Sequence, residues 1–427
     1  VPKLLTKTLG FSESPTLLGN QRVTERRARG ETVYHMGFGE SPFPVPPRLQ
    51  KALAAQVQQK KYLNTAGLAA LRQSILQYYA PRYGIDPADY DVIISPGSKL
   101  LIFAVQMAYE GDLVMVVPSW VSYVPQAQLL GQKAIKVPAV LDDNGYHLDA
   151  GLLRKAIHDA RVQGLNPSKI ILNTPNNPAG LCIPEAELVE IAKVCAAEDI
   201  VIIADDIYAQ VCFKGAHYSI AQYAPAHTVI SSAVSKHLSL GGWRLGFGLV
   251  PKAMEGLFES LCQIASETWS AVASPIQYAA LEAFAGHEDI ENHIRDCTVI
   301  HEFMNNYMAQ RLKCMGVICP VPQGAFYVYP DFAPFKEGCA RLGIHTSDNL
   351  FMYLFENYNI ASLPGICFGE APERLTLRLS GCDYDGGEVL NAYRAGRALQ
   401  EEFITEYAPH IKAGCDSLDR FIGTIRT

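Results

Sequence analysis

At 427 residues the chain exceeds what one simple hydrophobic core organises, so two lobes are expected. Apolar residues make up 49% of it and charged residues 19%, a balance that excludes a disordered chain. The net charge of −7 offers no basic face for a phosphate backbone, and no apolar run reaches the ~18 residues of a membrane span, so neither nucleic acid nor membrane is an expected partner.

The opening stretch VPKLLTKTLGFSESP has no apolar core of the signal-peptide kind. RVTERRARG (22–30) concentrates four arginines and reads as a solvated helix face balanced by Glu25 and Glu31. Seven short apolar runs follow: 91–95, 113–117, 134–137, 169–173, 200–204, 228–232 and 246–250. Most are near-continuous rather than alternating, as strands buried on both faces of a parallel sheet are. Segments of helical period separate several of them, the clearest being Leu100–Tyr109 and Glu185–Glu198, the latter opening after Pro184. Beyond residue 250 the pattern is mostly helical, with a β-rich stretch around Gly324–Tyr329 and Leu375–Ser380 and a final amphipathic helix from Gly387. The tail beyond Tyr407 reads either as a terminal helix on the smaller lobe or as a subunit contact. The expectation is an α/β fold. Residues 47–290 form a large domain with a mostly parallel seven-stranded sheet flanked by helices. Residues 1–46 and 291–427 form a smaller α+β domain. Eleven cysteines without a CxxC pair point to free thiols and a cytoplasmic setting, and the histidines make no metal-ligand cluster.

Four features sit at the carboxyl ends of predicted strands, where open α/β sheets bind ligands. SPGSK (95–99) is either an ordinary strand-to-helix turn or a cradle for an anion at a helix N-terminus. NTPNNPAG (173–180) is a loop whose Asn177 serves either the turn or a ligand. ADDIYAQV (204–211) places Asp205 at the end of a very apolar strand, a costly position unless it caps a helix or meets a cation. In SAVSKHLSLGGWRLGFG (232–248), Lys236, a glycine pair and Arg244 lie between two buried strands. A lysine there is a loop surface residue, or it is paired or covalently engaged.

Taken in order, these blocks resemble the class I/II aminotransferases of the fold-type-I pyridoxal phosphate superfamily. NTPNNPAG is similar to their NxPNNPTG block, with Ala179 for Thr. ADDIY, VSKHLSLGGWRLGF and RLSG (378–381) resemble their acidic, lysine and C-terminal arginine blocks. The resemblance implies pyridoxal 5'-phosphate as cofactor, held as a Schiff base on Lys236, which also acts as general base. It implies that Asp205 keeps the ring nitrogen protonated. Tyr208 and Asn177 would bond the ring hydroxyl, and Trp120, otherwise a core residue, would stack on the ring. Ser98, the backbone at Lys99, Ser235 and Arg244 would hold the phosphate. Tyr62 would reach the phosphate of a neighbouring subunit, which implies a homodimer with shared active sites. Arg378 would clamp the substrate carboxylate, with Gly39 in the loop closing over it; Ser41 departs from the usual residue in that loop.

SESPTL (12–17) resembles the N-terminal segment of the prokaryotic-type aspartate and prephenate aminotransferases, in which Lys99 and Thr16 would match the residues recognising a distal carboxylate. An L-amino acid, with aspartate or glutamate favoured, and a 2-oxo acid are therefore the expected small-molecule partners. Tyr34, Phe38 and Tyr327 leave an aromatic, alanine or broad specificity open. A lyase of the same fold would keep Lys236, Asp205 and Arg244. A non-catalytic sensor would need a DNA-binding helix-turn-helix ahead of the fold, and no such motif precedes it.

Overall fold

The computed structural model describes residues 15–213, 215 and 217–426. Its centre is a seven-stranded sheet made of the seven predicted runs: β1 (Tyr90–Ser95), β2 (Asp112–Val117), β3 (Ala134–Pro138), β4 (Pro167–Asn173), β5 (Val201–Asp205), β6 (Thr228–Ala233) and β7 (Gly246–Pro251). The spatial order is β1-β7-β6-β5-β4-β2-β3. The strands from β6 to β3 pair in parallel, and β7 alone runs antiparallel, between β6 and β1. One edge of the sheet therefore collects the carboxyl ends of β1, β4, β5 and β6 and the start of β7. The register is close: Asn173 lies opposite Asp205, Asp205 opposite Ser231, and Gly246 opposite both Ala233 and Ser95. The four blocks singled out at strand ends in the sequence leave the sheet along this edge.

The strands are buried on both faces, as their continuous apolar character requires. On one face Phe247 is fully buried between Tyr79 and Phe284, with ring centroids 4.9 and 5.7 Å away. A second core gathers Met304, Leu312, Leu350, Leu377, Leu379, Ile411 and Phe421. The helix Glu288–Cys314 contributes to both, giving Ile290 and Ile294 to the first and Ile300 and Met304 to the second. A small sheet in the second core joins Tyr327–Val328, Leu377–Ser380 and Leu363–Pro364, with Leu377–Ser380 in the middle.

Three expectations need revision. The final helix from Gly387 is instead three helices, Gly386–Arg394, Glu401–Tyr407 and Pro409–Arg426. Gly396 at φ +84° and the helix-stopping Pro409 separate them. The last one buries Ile411, Leu418, Phe421 and Ile422 in the second core, which places the tail on that lobe. The arginine-rich segment lies at the end of the helix Pro15–Ala28, where Arg22, Arg27 and Arg29 are exposed as expected, whereas Arg26 is half-buried. Arg26 bonds Glu31 at 2.5 Å, the Phe355 carbonyl at 2.8 Å and Asn359 at 2.8 Å, while Arg27 pairs with Asp383 at 2.7 Å. Glu25 is bonded by Gln21 rather than by an arginine. Among the described residues no helix is long and apolar enough to cross a membrane.

The functional edge depends on one close backbone approach. A Cβ on Gly246 would stand 2.4 Å from the carbonyl carbon of Gly97 and 2.6 Å from the amide nitrogen of Ser98. Both are main-chain atoms, so no side-chain rotation relieves the clash. Gly246→Ala is expected to lower stability by about 1–3 kcal/mol, read as a lower urea midpoint at unchanged slope. An unaltered midpoint would mean that the β1–helix turn is free to move.

Candidate active site

A cavity of ≈ 490 Å³ opens at this sheet edge. Its lining includes Gly39, Ser98, Lys99, Trp120, Asn177, Asp205, Tyr208, Ser235, Lys236, Arg244 and Arg378, which the sequence marked from seven separate segments. A larger hollow of ≈ 690 Å³ adjoins it and shares Lys99, Trp120 and Arg244, but it holds no carboxylate, no tyrosine and neither Lys236 nor Arg378. Converging polar groups, not size, single out the smaller one.

Asp205 ends β5 and is buried. One oxygen, Oδ2, accepts a 2.5 Å hydrogen bond from Tyr123, while Oδ1 is buried with no partner. Burial pushes its pKa up from 3.8 to about 7, against the lowering effect of the Tyr123 bond. The backbone around it is fixed by Asn173, whose side chain donates to the Asp205 carbonyl at 2.7 Å and accepts from the Asn177 amide at 2.7 Å. A buried carboxylate oxygen facing a cavity suits a cationic N–H donor.

The other end suits an anion. The helix Ser98–Ala108 begins at Gly97, in a left-handed conformation at φ +84°, and no side chain caps its first turn. Arg244, also left-handed at φ +52°, donates to the carbonyls of Gly241 at 2.9 Å and Pro96 at 3.1 Å, which hold its guanidinium beside that turn. Free helix N–H groups, the Ser98 and Ser235 hydroxyls and a guanidinium make an anion cradle. Trp120 is half-buried between the two ends and meets Tyr123 edge-on at 5.4 Å.

Lys236 follows β6 and donates to the Gly39 carbonyl at 2.7 Å, and its ammonium lies 5.6 Å from the Tyr208 ring. The Tyr208 hydroxyl is 2.7 Å from that of Tyr327. Arg378 lies on the middle strand of the small sheet and is 1% exposed. It donates to Asn177 Oδ1 at 2.9 Å and to the Gly37 carbonyl at 2.7 Å, and its Nε has no partner. No ion pair engages it among the described residues, and at 1% exposure it is no surface residue. A buried guanidinium without a carboxylate is a place for one to dock.

Lys99 is exposed at the mouth, 5.1 Å over the Trp120 ring; desolvation and then the charge of Arg244 lower its pKa. Three marked residues are not in the cavity lining, the first being Tyr34, which packs edge-on against His410 at 6.3 Å. Tyr62 is 96% exposed on this chain, and the side chain of Thr16, like residues 12–14, lies outside the described residues. Sequence reasoning gave no role to Tyr123, Asn173, Glu40, Leu17 or Ile207. Tyr123 stands three residues beyond Trp120, yet only the adjacency of β2, β4 and β5 brings it to Asp205. Asn173 opens the NTPNNPAG block, and its polar side chain ending a buried strand was the available signal.

Residues 31–392 match the family described as aminotransferase class I and II. The chain is 31% identical over 384 residues to an aspartate aminotransferase of Geobacillus stearothermophilus, covering 88% of this chain and 94% of that one. It is 30% identical over 410 residues to a probable aspartate/prephenate aminotransferase of Aquifex aeolicus, covering 93% and 99%. In fold it resembles the aspartate aminotransferase of Thermus thermophilus solved with maleate, at TM-score 0.82 and 23% identity, over 98% of this chain and all of that one.

The Asp205 carboxyl carries a pH signature. Its folded pKa of about 7 stands above the ordinary 3.8, so between those values the folded chain keeps a proton that the unfolded chain has lost. Asp205 therefore contributes nothing below pH ~4, and its destabilisation grows as pH rises, completing above pH ~7. In protein freed of bound small molecules, Asp205→Asn is expected to raise unfolding stability at pH 8, by up to about 4 kcal/mol, with the gain fading toward pH 4. A gain that is the same at both pH values would separate it from this ionisation.

Proposed function

Because this chain belongs to the class I and II aminotransferases and is a transaminase, we propose that it moves the amino group of a dicarboxylic L-amino acid, aspartate or glutamate, to a 2-oxo acid with pyridoxal 5'-phosphate held on Lys236. The observation that carries this reading is the unpartnered Oδ1 of Asp205, buried opposite an anion cradle across a cavity that also holds Lys236. The cofactor has the matching ends, a pyridine nitrogen that can be protonated and a phosphate, so the residues fit it. When bound it supplies an electron sink for the charge left by removal of the substrate α-proton.

The chain's own residues do the rest. Asp205 would hold a proton on the ring nitrogen, with Tyr123 keeping its other oxygen occupied. Ser98, Ser235, Arg244 and the first-turn amides would bind the phosphate, and Trp120 would cover the ring. Tyr208 and Asn177 would bond the ring hydroxyl. Lys236 Nζ, once free, would take the α-proton and deliver it to the carbon on the far side of the amino nitrogen, two bonds from the α-carbon, while its bond to Gly39 keeps it oriented. Arg378, already turned by Asn177 and Gly37, would take the substrate α-carboxylate in a fork-to-fork pair.

The donor preference rests on charge. Lys99, Lys236, Arg244 and Arg378 face the cavity against only two carboxylates, Asp205 and Glu40. With Arg244 given to the phosphate and Arg378 to the α-carboxylate, Lys99 at the mouth is the cation left for a second negative group, with Thr16 as a further donor. The fully exposed ring of Tyr62 supports a homodimer in which it completes the neighbour's phosphate site. The cysteines, none in a disulfide, suit a reducing cytoplasm.

Lys236→Ala is expected to lower turnover by at least about 10²–10⁴-fold and to abolish the donor-induced absorption change of the cofactor. Turnover that survives the substitution would remove Lys236 from the mechanism. Lys99→Met is expected to lower kcat/KM for aspartate about tenfold while leaving alanine unaffected. If both donors change alike, Lys99 does not read the side chain, and an aromatic donor against Phe38 gains ground.

A further inference from the structure

The three segments that form one wall of the cavity meet again on its outer side. Cys182 closes the loop that carries Asn177, Cys212 ends the segment that carries Tyr208, and Gln323 precedes Tyr327 by one turn of chain. The Cys182 amide donates to Gln323 Oε1 at 2.7 Å, the Phe213 amide to the Gln323 carbonyl at 2.7 Å, and the Gln323 amide to the Gly180 carbonyl at 2.7 Å. Amid these bonds the two sulfurs lie 3.7 Å apart. Both cysteines are half-buried and line a surface hollow of ≈ 380 Å³ with Glu185, Phe213 and Tyr218.

We propose that Cys182 and Cys212 are a redox-modification site, a thiol pair that a hydroperoxide converts to a disulfide tying the Asn177 loop to the Tyr208 segment. Theirs is the one thiol–thiol hydrogen bond among the described residues. The pair is also chemically distinct. Burial pushes up the thiols of Cys195, Cys297, Cys319 and Cys415, whereas the bond from Cys182, and then the charge of His217, draw Cys212 down. Burial lowers the His217 pKa, and the Asp206 carboxylate 3.4 Å away raises it, with a net rise above its ordinary 6.5.

The chemistry balances in two steps. The Cys212 thiolate attacks the O–O bond of the hydroperoxide, becoming a sulfenic acid and releasing an alcohol or water. The Cys182 thiol then attacks that sulfur, forming the S–S bond and releasing water. Two thiols lose two electrons, and the hydroperoxide gains them. The segments are already hydrogen-bonded to one another, so the reaction joins groups the fold holds in contact.

The test treats the cofactor-loaded protein with limiting hydrogen peroxide and maps its peptides without reduction. The expected result is one linked pair of peptides containing Cys182 and Cys212, two hydrogens lighter than the separate peptides, with loss of two titratable thiols that dithiothreitol restores. Cys182→Ser should stop at a dimedone-reactive sulfenic acid on Cys212, and Cys212→Ser should leave Cys182 unmodified. Oxidation that begins at Cys314 or another cysteine, or that carries Cys212 to the sulfinic acid without linkage in the unsubstituted protein, would overturn the assignment.

Discussion

A buried carboxylate must find a positive or donating partner, and Asp205 has only half of one within its own chain. The strands on either side are continuous apolar runs that offer no charge to answer it. Tyr123 and Asn173 fix its position, one through the carboxylate and the other through the backbone, and leave the remaining oxygen toward the cavity. A site so arranged is less stable alone than with a cation in place, which is a physical definition of a binding site. Arg378 presents the same condition with the opposite sign. It is buried, oriented by two neutral acceptors, and without a carboxylate among the described residues. Between these two incomplete charges stands Lys236.

Parallel strands make that arrangement possible. Because β1, β4, β5 and β6 run the same way, residues distant in sequence end on one edge at strand spacing of about 4.8 Å. The single antiparallel strand, β7, begins at that edge instead of ending there, so the Lys236–Arg244 loop is a tight return across it. The close passage of Gly246 over Gly97 brings Arg244 beside the helix start at Ser98. The anion cradle is therefore a product of strand direction as much as of residue type.

The seven strands were legible because burial on both faces leaves a continuous apolar run, a signal that needs no knowledge of neighbours. Lys236, Asp205, Asn177 and Arg378 were legible because each sits in a contiguous block that carries its own pattern. Tyr123 was not, because its role is created by strand order: β2 lies two positions from β5 in space, and nothing local to PSWVSY states this. Arg26 misled for a similar reason. A run of charge reads as a solvated face, but Phe355 and Asn359, which bond Arg26, come from more than three hundred residues away. The helix breaks near the C-terminus were written in Gly396 and Pro409, and the amphipathic period running through them concealed the stops.

The candidate site spans two cores, and this sets where its precision must come from. Asp205 and Lys236 belong to the large sheet, whereas Arg378 and Tyr327 belong to the small one, and the Gly37–Phe43 loop runs between them. Ser41, the departure noted in that loop, is buried and bonds Ser239 at 2.6 Å, three residues beyond Lys236 and itself in a left-handed conformation at φ +57°. On its other side stands His301, at 3.4 Å, on the helix shared by both cores. Burial pushes the His301 pKa down to about 3, so it stays neutral and leaves no stray charge beside the lysine. Lys236 is thus tied to the loop twice, through its own bond to Gly39 and through Ser239 to Ser41. The distance from Lys236 to Arg378, on which the proposed transfer of a proton at a bound α-carbon would depend, is held by polar contacts that cross from one core to the other.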